Sequence, residues 1–311
     1  MGSRTYICWI PKKRKIKTLM NSQLKIFDEI IAVKKRPSSL YNNIQRSLLR
    51  YPGGKTWFLP VLKQWLEHSS NDNSVFLEPF AGGAISALTA VLDGFVASAI
   101  LIEKDEDVAA VWKTIFGRSG KWLAEAIMDF ELSDENISMQ AQKSGSSTKE
   151  RALNTIVRNR INRGGIIAPS GGRLNKGEKD KGINSRWYPE TLSARLLNLI
   201  PYKSNFSVKC GDGIRAINKY AENPNMLVFI DPPYIDAGTR LYSHSKLNHK
   251  RLFEAVASVQ GSFLMTYDNH PRVLELCEEF DFPNTTIMMQ NAHHKTKTEI
   301  IISNNLEWFN N

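Results

Sequence analysis

Met226-Leu227-Val228-Phe229-Ile230-Asp231-Pro232-Pro233-Tyr234 is the stretch that decides the fold of this 311-residue chain. Five consecutive apolar residues are too few for a helix and match a buried strand. Pro232 and Pro233 then fix φ twice and remove two N–H donors, so neither helix nor ladder continues. The strand therefore ends abruptly. It presents the Asp231 carboxylate, the Pro232 carbonyl and the Tyr234 ring at its C-terminal edge, where open α/β sheets bind ligands.

Such a group suits an amine conjugated to an aromatic base, a poor nucleophile because its lone pair is delocalised. Asp231 and the Pro232 carbonyl can accept the two amine hydrogens and draw the nitrogen toward tetrahedral geometry, while Tyr234 stacks on the base. The plainer alternative is a strand that ends in a proline-rich turn with an N-capping aspartate.

Working outward, Ser74–Phe80 reads as a second buried strand, followed by Ala81-Gly82-Gly83-Ala84 and a helix through Leu92. Strand, glycine turn and helix form the first unit of a nucleotide-cofactor fold, with glycines that let backbone approach ligand. Ala97–Ile102 is a third strand, ending in Glu103 about 20 residues past the turn, where a carboxylate can grip ribose hydroxyls. Upstream, Leu49-Arg50-Tyr51-Pro52-Gly53-Gly54-Lys55 is a turn entering a helix over Trp57–Leu66. Free N–H groups and a lysine converge there on an anion or carboxylate, without the spacing of a P-loop.

After a helix over Asp105–Phe116 the alternation stops. Residues 117–205 are polar, basic and loop-rich, and predict an inserted, mainly helical domain with an irregular basic loop. The alternation resumes with strand Phe206–Cys210, turn Gly211-Asp212-Gly213 and a helix over Ile214–Ala221. Beyond Tyr234 come helix Leu252–Val259, strand Phe263–Tyr267, helix Val273–Glu279 and two closing strands, Thr286–Gln290 and Glu299–Ser303. The fold class is α/β, a Rossmann-like sheet with an antiparallel C-terminal strand. The predicted domains are a basic appendage over 1–46, a catalytic domain over 47–116 and 206–311, and the insert over 117–205.

A hydrophobic content of 42% with 23% charged residues is that of a soluble globular protein. No run reaches the roughly 18 apolar residues of a membrane span, and the basic N-terminus lacks a signal peptide's apolar core, so a cytoplasmic home is expected. Cys8, Cys210 and Cys277 are too few and too scattered for a disulfide framework or a local zinc pattern. The six histidines show no ligand spacing, and His293-His294 reads as a surface pair. The net charge of +10 is concentrated. Residues 1–36 carry ten basic side chains against two acidic, and 149–187 carry ten against three, on a mildly acidic remainder. Two basic segments point to a polyanion contacted at defined places, with a solvated stretch as the alternative for each. Asn21–Val33 has apolar residues at helical spacing, and Met20 is a candidate alternative start.

With these residues in view, the chain resembles the Dam-like family of DNA adenine-N6 methyltransferases, which use S-adenosylmethionine. The resemblance runs from about Leu48 to about Asn305. It is carried in order by Tyr51-Pro-Gly-Gly-Lys55, Glu78-Pro-Phe-Ala-Gly-Gly83, the strand ending at Glu103, Asn159–Gly165, Asp231-Pro-Pro-Tyr234 and Lys297–Ser303. Two departures stand out. Many members have F-x-G-x-G where this chain has Phe80-Ala-Gly-Gly-Ala84, and many have aspartate where it has Glu103.

The resemblance implies that Tyr51, Lys55, Glu78, Phe80, Gly82, Gly83, Glu103, Asp212 and Asp231 bind the cofactor, with Asp212 on its adenine. It makes Asp231, Pro232 and Tyr234 the catalytic positions. It implies base flipping of an adenine in double-stranded DNA, with Arg158, Arg160, Asn162, Arg163 and Arg186 as DNA contacts. No metal is required, because the sulfonium cofactor brings its own electrophile and leaving group. A monomer working beside a cognate restriction enzyme, in the cytoplasm or at the nucleoid, completes the expectation. The rivals are methylation of RNA adenine or of cytosine N4, and a catalytically silent DNA-binding relative.

Overall fold

The computed structural model describes residues 46–51, 53–168, 171–175, 182–235, 247–290 and 296–309. The appendage helix over 21–33, Pro169-Ser170 and the His293-His294 pair lie outside them. Seven strands form one sheet: β1 (Val75–Glu78), β2 (Ser98–Glu103), β3 (Phe206–Cys210), β4 (Met226–Ile230), β5 (Ser262–Asp268), β6 (Asn284–Gln290) and β7 (Thr296–Ser303). Their order is β3-β2-β1-β4-β5-β7-β6. The first five run parallel, and β7 pairs antiparallel with both β5 and β6. This matches the expected sheet with its antiparallel C-terminal strand.

The central strand β4 is buried along its whole length. Its side chains alternate between two apolar layers, as the pleat requires. Leu227 and Phe229 join Phe76, Leu101, Leu264 and Ile301 on one face. Met226, Val228 and Ile230 join Leu77, Met265, Ile300 and Ile302 on the other. Burying each such side chain contributes roughly 1.5–3 kcal/mol, before the cost of ordering the chain.

Helices cover both faces. The first face packs α1 (Leu59–Ser69), α2 (Ile85–Leu92) and α3 (Glu106–Ile115), with Trp65, Leu88 and Trp112 fully buried. The Asp105 carboxylate caps α3 by accepting from the Asp107 amide at 2.9 Å. The segment read as an insert forms α4 (Gly120–Asp129), α5 (Asp134–Lys143), α6 (Thr148–Ile161) and α7 (Pro189–Leu199). Its Leu123, Ile127, Ile156, Val157 and Leu196 belong to the same buried cluster as the strands of this face. The second face packs α8 (Gly213–Tyr220), α9 (His249–Ala257) and α10 (Pro271–Glu279) through Ile217, Leu252, Phe253, Val273 and Leu276. No helix among the described residues is long and apolar enough to cross a membrane.

The strand order reverses between β1 and β4. Chain connections lead away from that pair in opposite directions, which leaves a crevice at the C-terminal ends of the two strands. Glu78 closes β1, Glu103 closes β2 and Asp231 follows β4, so the sheet delivers three carboxylates to one edge.

Candidate active site

A cleft enclosing about 1130 Å³, its open mouth included, sits on that edge. Tyr51, Lys55, Glu78, Phe80, Gly82, Gly83, Glu103, Asp212 and Asp231 all line it, so every residue named for cofactor binding meets here. Gly165, Ile167 and Ala168, which follow α6, complete the wall. Sequence reading assigned those three no place in the site.

The glycine turn is shaped by Tyr51. Gly82 has φ +44°, and a β-carbon there would sit 2.6 Å from the Tyr51 ring. The turn is also tied down by an acid. Glu103 is buried, and its Oε2 accepts from the Gly82 amide at 2.7 Å while Oε1 accepts from the Asp105 amide at 2.8 Å. Burial pushes the Glu103 carboxyl up to about 7 against the pull of these amides. Ala84 occupies the left-handed region at φ 51°, ψ 24° as the N-cap of α2. There a side chain carries a strain of about 1 kcal/mol that glycine would escape. Glu78, at the foot of that helix, accepts from the Ala87 amide at 3.0 Å. Burial lifts its carboxyl to about 8, with the charges of Asp231 and Glu103 adding to the rise.

The chemistry of the cleft centres on Lys55, which enters from a 3₁₀ turn over Lys55–Phe58 and is 3% exposed. Its ammonium lies 3.1 Å from Asp231 Oδ1 and 3.2 Å from Glu299 Oε2. It also donates to the Tyr234 hydroxyl at 2.6 Å. Burial pulls the ammonium pKa down, but the Coulombic pull of Asp231 and Glu299 outweighs it and the net shift is upward. Thr266 of β5 donates to the same Asp231 Oδ1 at 3.0 Å. Burial raises the Asp231 carboxyl, opposed first by Lys55 and then by Thr266. About a quarter of the Asp231 side chain (23%) stays open to the cleft. Pro232 is buried, and neither it nor Tyr234 lines the cleft, where Pro233 does; the Tyr234 ring stacks on Tyr267 with centroids 6.1 Å apart.

Glu299 was missed as a site residue. It reaches this edge because β7 is antiparallel, which sets the start of β7 beside the ends of the parallel strands; Glu299 pairs with Asp268 of β5. The sequence did carry a signal: an acid heading the apolar run Ile300-Ile-Ile302 is out of place unless it is paired.

Asp212 caps α8 by accepting from the Arg215 amide at 3.1 Å and lies 3.8 Å from the Lys104 ammonium at the rim. The residues named for DNA contact are spread over several environments. Arg158 pairs with Asp107 at 2.8 Å and donates to the Ile167 carbonyl. Arg160 is buried and donates to the Leu48 carbonyl, its pKa brought down to about 10 by burial and by Arg50, Arg195 and Arg186 nearby. Asn162 is buried and donates to the Ile166 carbonyl at 2.8 Å. Arg186 is half-buried. Arg163 is exposed, donating to the Arg173 carbonyl at 3.2 Å.

One joint ties these helices to the cleft. The fully buried Asn159 accepts from the Arg50 amide at 2.9 Å and donates to the carbonyls of Arg50 at 2.9 Å and Gly165 at 2.7 Å. Gly165 has φ +77°, and a β-carbon there would fall 2.2 Å from the Arg50 carbonyl oxygen. Backbone cannot yield cheaply to such a contact. Gly165→Ala is therefore expected to lose roughly 2–5 kcal/mol, combining left-handed strain with overpacking. Urea melts of parent and variant measure it, and a midpoint equal to the parent's would show the joint to be pliable.

A family model for D12 class N6 adenine-specific DNA methyltransferases matches residues 51–291. No curated protein matches the chain at a significant level. Among solved structures, a protein of Pyrococcus horikoshii described as an RNA methyltransferase is 13% identical, with 82% of this chain and 84% of that one covered and a TM-score of 0.38. The rRNA methyltransferase aviRa of Streptomyces viridochromogenes is 11% identical, with 87% and 94% covered and a TM-score of 0.38. A precorrin-6y C5,15-methyltransferase of Geobacter metallireducens is 9% identical, with 79% and 86% covered and a TM-score of 0.34.

Proposed function

This chain belongs to the D12 class N6 adenine-specific DNA methyltransferase family, and from that premise we propose that it transfers a methyl group from S-adenosylmethionine to the N6 amine of an adenine flipped out of duplex DNA. One observation carries the reading. Asp231, at the end of β4, has Oδ1 held by both Lys55 and Thr266, in the cleft that also contains the Tyr51-backed glycine turn.

The cleft suits the cofactor. Glu78, Glu103 and Asp231 line its floor with hydrogen-bonding carboxyl groups, and Gly82 and Gly83 let the turn close against the Tyr51 ring. When bound there, S-adenosylmethionine supplies a methyl group activated on a sulfonium. Tyr51, Phe80, Gly82 and Gly83 would hold its amino-acid end and body, Glu103 its ribose and Asp212 its adenine, while Lys55, engaged by Asp231, Glu299 and Tyr234, lines the same cleft from behind Asp231. Each Glu103 oxygen engaged by a backbone amide keeps a second lone pair for a hydroxyl.

Asp231 and the Pro232 carbonyl then orient the target amine, with Asp231 anchored through Oδ1 so that its carboxylate does not rotate. Flipping the adenine costs a few kcal/mol of stacking and pairing, offset by the Tyr234 ring and by contacts from the basic segment over 117–205. In that segment Arg163 is the candidate for direct contact. Arg158, Arg160, Asn162 and Arg186 would support the surface from behind or at its margin.

Tyr234 variants test the base-capture step. Tyr234→Ala should slow transfer about tenfold to a hundredfold, the value of one stacked base at roughly 1–3 kcal/mol. Tyr234→Phe and Tyr234→Trp should stay within about tenfold of the parent, because stacking needs only a π-face. Lys55 keeps both carboxylate partners when the hydroxyl is lost. A phenylalanine variant as slow as alanine would mean the hydroxyl on Lys55 matters more than the ring.

A further inference from the structure

Lys55 is one ammonium between two carboxylates, and Glu299 is only 5% exposed on β7. A buried ionised acid is strongly disfavoured unless an opposite charge compensates it. One cation cannot neutralise two anions, so the ionised trio carries one negative charge in excess. We infer that Glu299 is a positioning residue of the transfer site: it gives Lys55 a counterion of its own, so that Asp231 keeps its negative charge facing the reacting amine.

The role rests on the methyl-transfer reading above and follows from where charge appears. The nitrogen–carbon bond forms as the sulfur–carbon bond breaks, and sulfur keeps the bonding pair. Positive charge develops on the amine nitrogen, whose surplus proton then leaves to the Asp231 carboxylate. An Asp231 already neutralised by Lys55 would do little for that charge. Fixed charges in a dry site are where such stabilisation is largest. Glu299 touches neither amine nor methyl group in this scheme and acts through Lys55.

The arrangement has a pH signature. Burial raises the Glu299 carboxyl, Lys55 opposes that rise, and repulsion from Asp231 adds to it. The other ionisable groups facing Asp231 are Glu78, Tyr234 and Tyr267; Tyr234 also hydrogen-bonds Glu299 and lowers its carboxyl, and Asp268 lies opposite Glu299 in the β5–β7 register. Removing the charge of Glu299 leaves Asp231 as the one carboxylate on Lys55, and Asp231 then ionises more readily. The acid limb of the rate profile should move to lower pH while the plateau falls. Loss of packing alone would lower the plateau without moving the limb.

Single-turnover methyl transfer to unmethylated duplex DNA, measured across pH for the full chain, tests this. Glu299→Gln should lower the plateau about a hundredfold, the scale of one lost electrostatic contact, and shift the acid limb downward. Its affinity for S-adenosylhomocysteine, by equilibrium dialysis, should stay within about threefold, as for an interaction felt in the transition state. Glu299→Asp, which keeps the charge, should retain the parent's limb and a rate within about tenfold of it. A Glu299→Gln rate within about threefold of the parent overturns the role. So does a fall with the limb unmoved. Should the glutamine variant fail to fold, a folded but inactive Glu299→Asp overturns it. A parent that binds S-adenosylhomocysteine yet methylates no DNA would sink the functional reading and this role together. An active parent with an unaffected glutamine variant would sink only the role.

Discussion

Replacing Asp231 with alanine should lower the rate of methyl transfer by about a thousandfold or more, the combined scale of a lost proton acceptor and a lost electrostatic contact. Duplex DNA affinity should change by less than about threefold, because the loss falls on the reacting amine and not on the phosphate contacts. The asymmetry follows from geometry. Asp231 is the carboxylate at the end of β4 that stays open to the cleft, while its Oδ1 is already engaged by Lys55 and Thr266. Alanine removes the group that orients the amine and takes its proton, and it leaves Lys55 paired with Glu299. Single-turnover rates and fluorescence anisotropy on the same oligonucleotide separate the two effects. A variant within tenfold of the parent's rate would show that another group does this work.

Lys55→Met is expected to be the most destabilising change at the site. Removing one partner of a buried ion pair costs about 3–5 kcal/mol, because the remaining charge is left uncompensated. Here two carboxylates are left, Asp231 and Glu299, both already raised above their ordinary values of 3.8 and 4.5 by burial. Without Lys55 to oppose burial, both rise further. A carboxyl with a raised folded pKa contributes stability below its unfolded value and loses it as pH climbs through the folded one. The gap between parent and variant should therefore be widest at neutral pH and narrow as pH falls toward those ordinary values. Lys55 itself, raised above 10.5, supports the parent until pH climbs past that value. Urea unfolding at several pH values measures the gap. A gap that widens on acidification would contradict the charge assignment.

Much of this was legible from local signals. The run Met226–Ile230 is continuous in apolar residues because β4 is covered on both faces, and Pro232-Pro233 mark its end whatever the sheet does around it. Glu103 was found because a strand, a glycine turn and a helix fix its distance along the chain. Glu299 was not, since its meeting with Lys55 depends on β7 running antiparallel beside β5, a property of the whole sheet. Gly165 was quoted within a motif, but its approach to Arg50 needs a helix from the middle of the chain to dock on a turn near its beginning. The basic segment was the least legible. An arginine reads alike whether its guanidinium clamps a carbonyl, as Arg160 does on Leu48, or lies exposed, as Arg163 does. The departure at Ala84 was visible as a missing glycine, whereas its left-handed backbone was not.

Methyl transfer to the N6 amine of adenine in duplex DNA leaves a product that can be identified chemically. Purified full-length protein, incubated with S-adenosylmethionine carrying a labelled methyl group and with duplex DNA from a methylation-free source, tests it most directly. Digestion to nucleosides and mass spectrometry then identify the product. Label in N6-methyldeoxyadenosine, absent with Asp231→Ala, is the expected result. Label in a methylated cytosine, label only in RNA supplied in parallel, or no label in either polymer would show that the protein is not an adenine-N6 methyltransferase of duplex DNA.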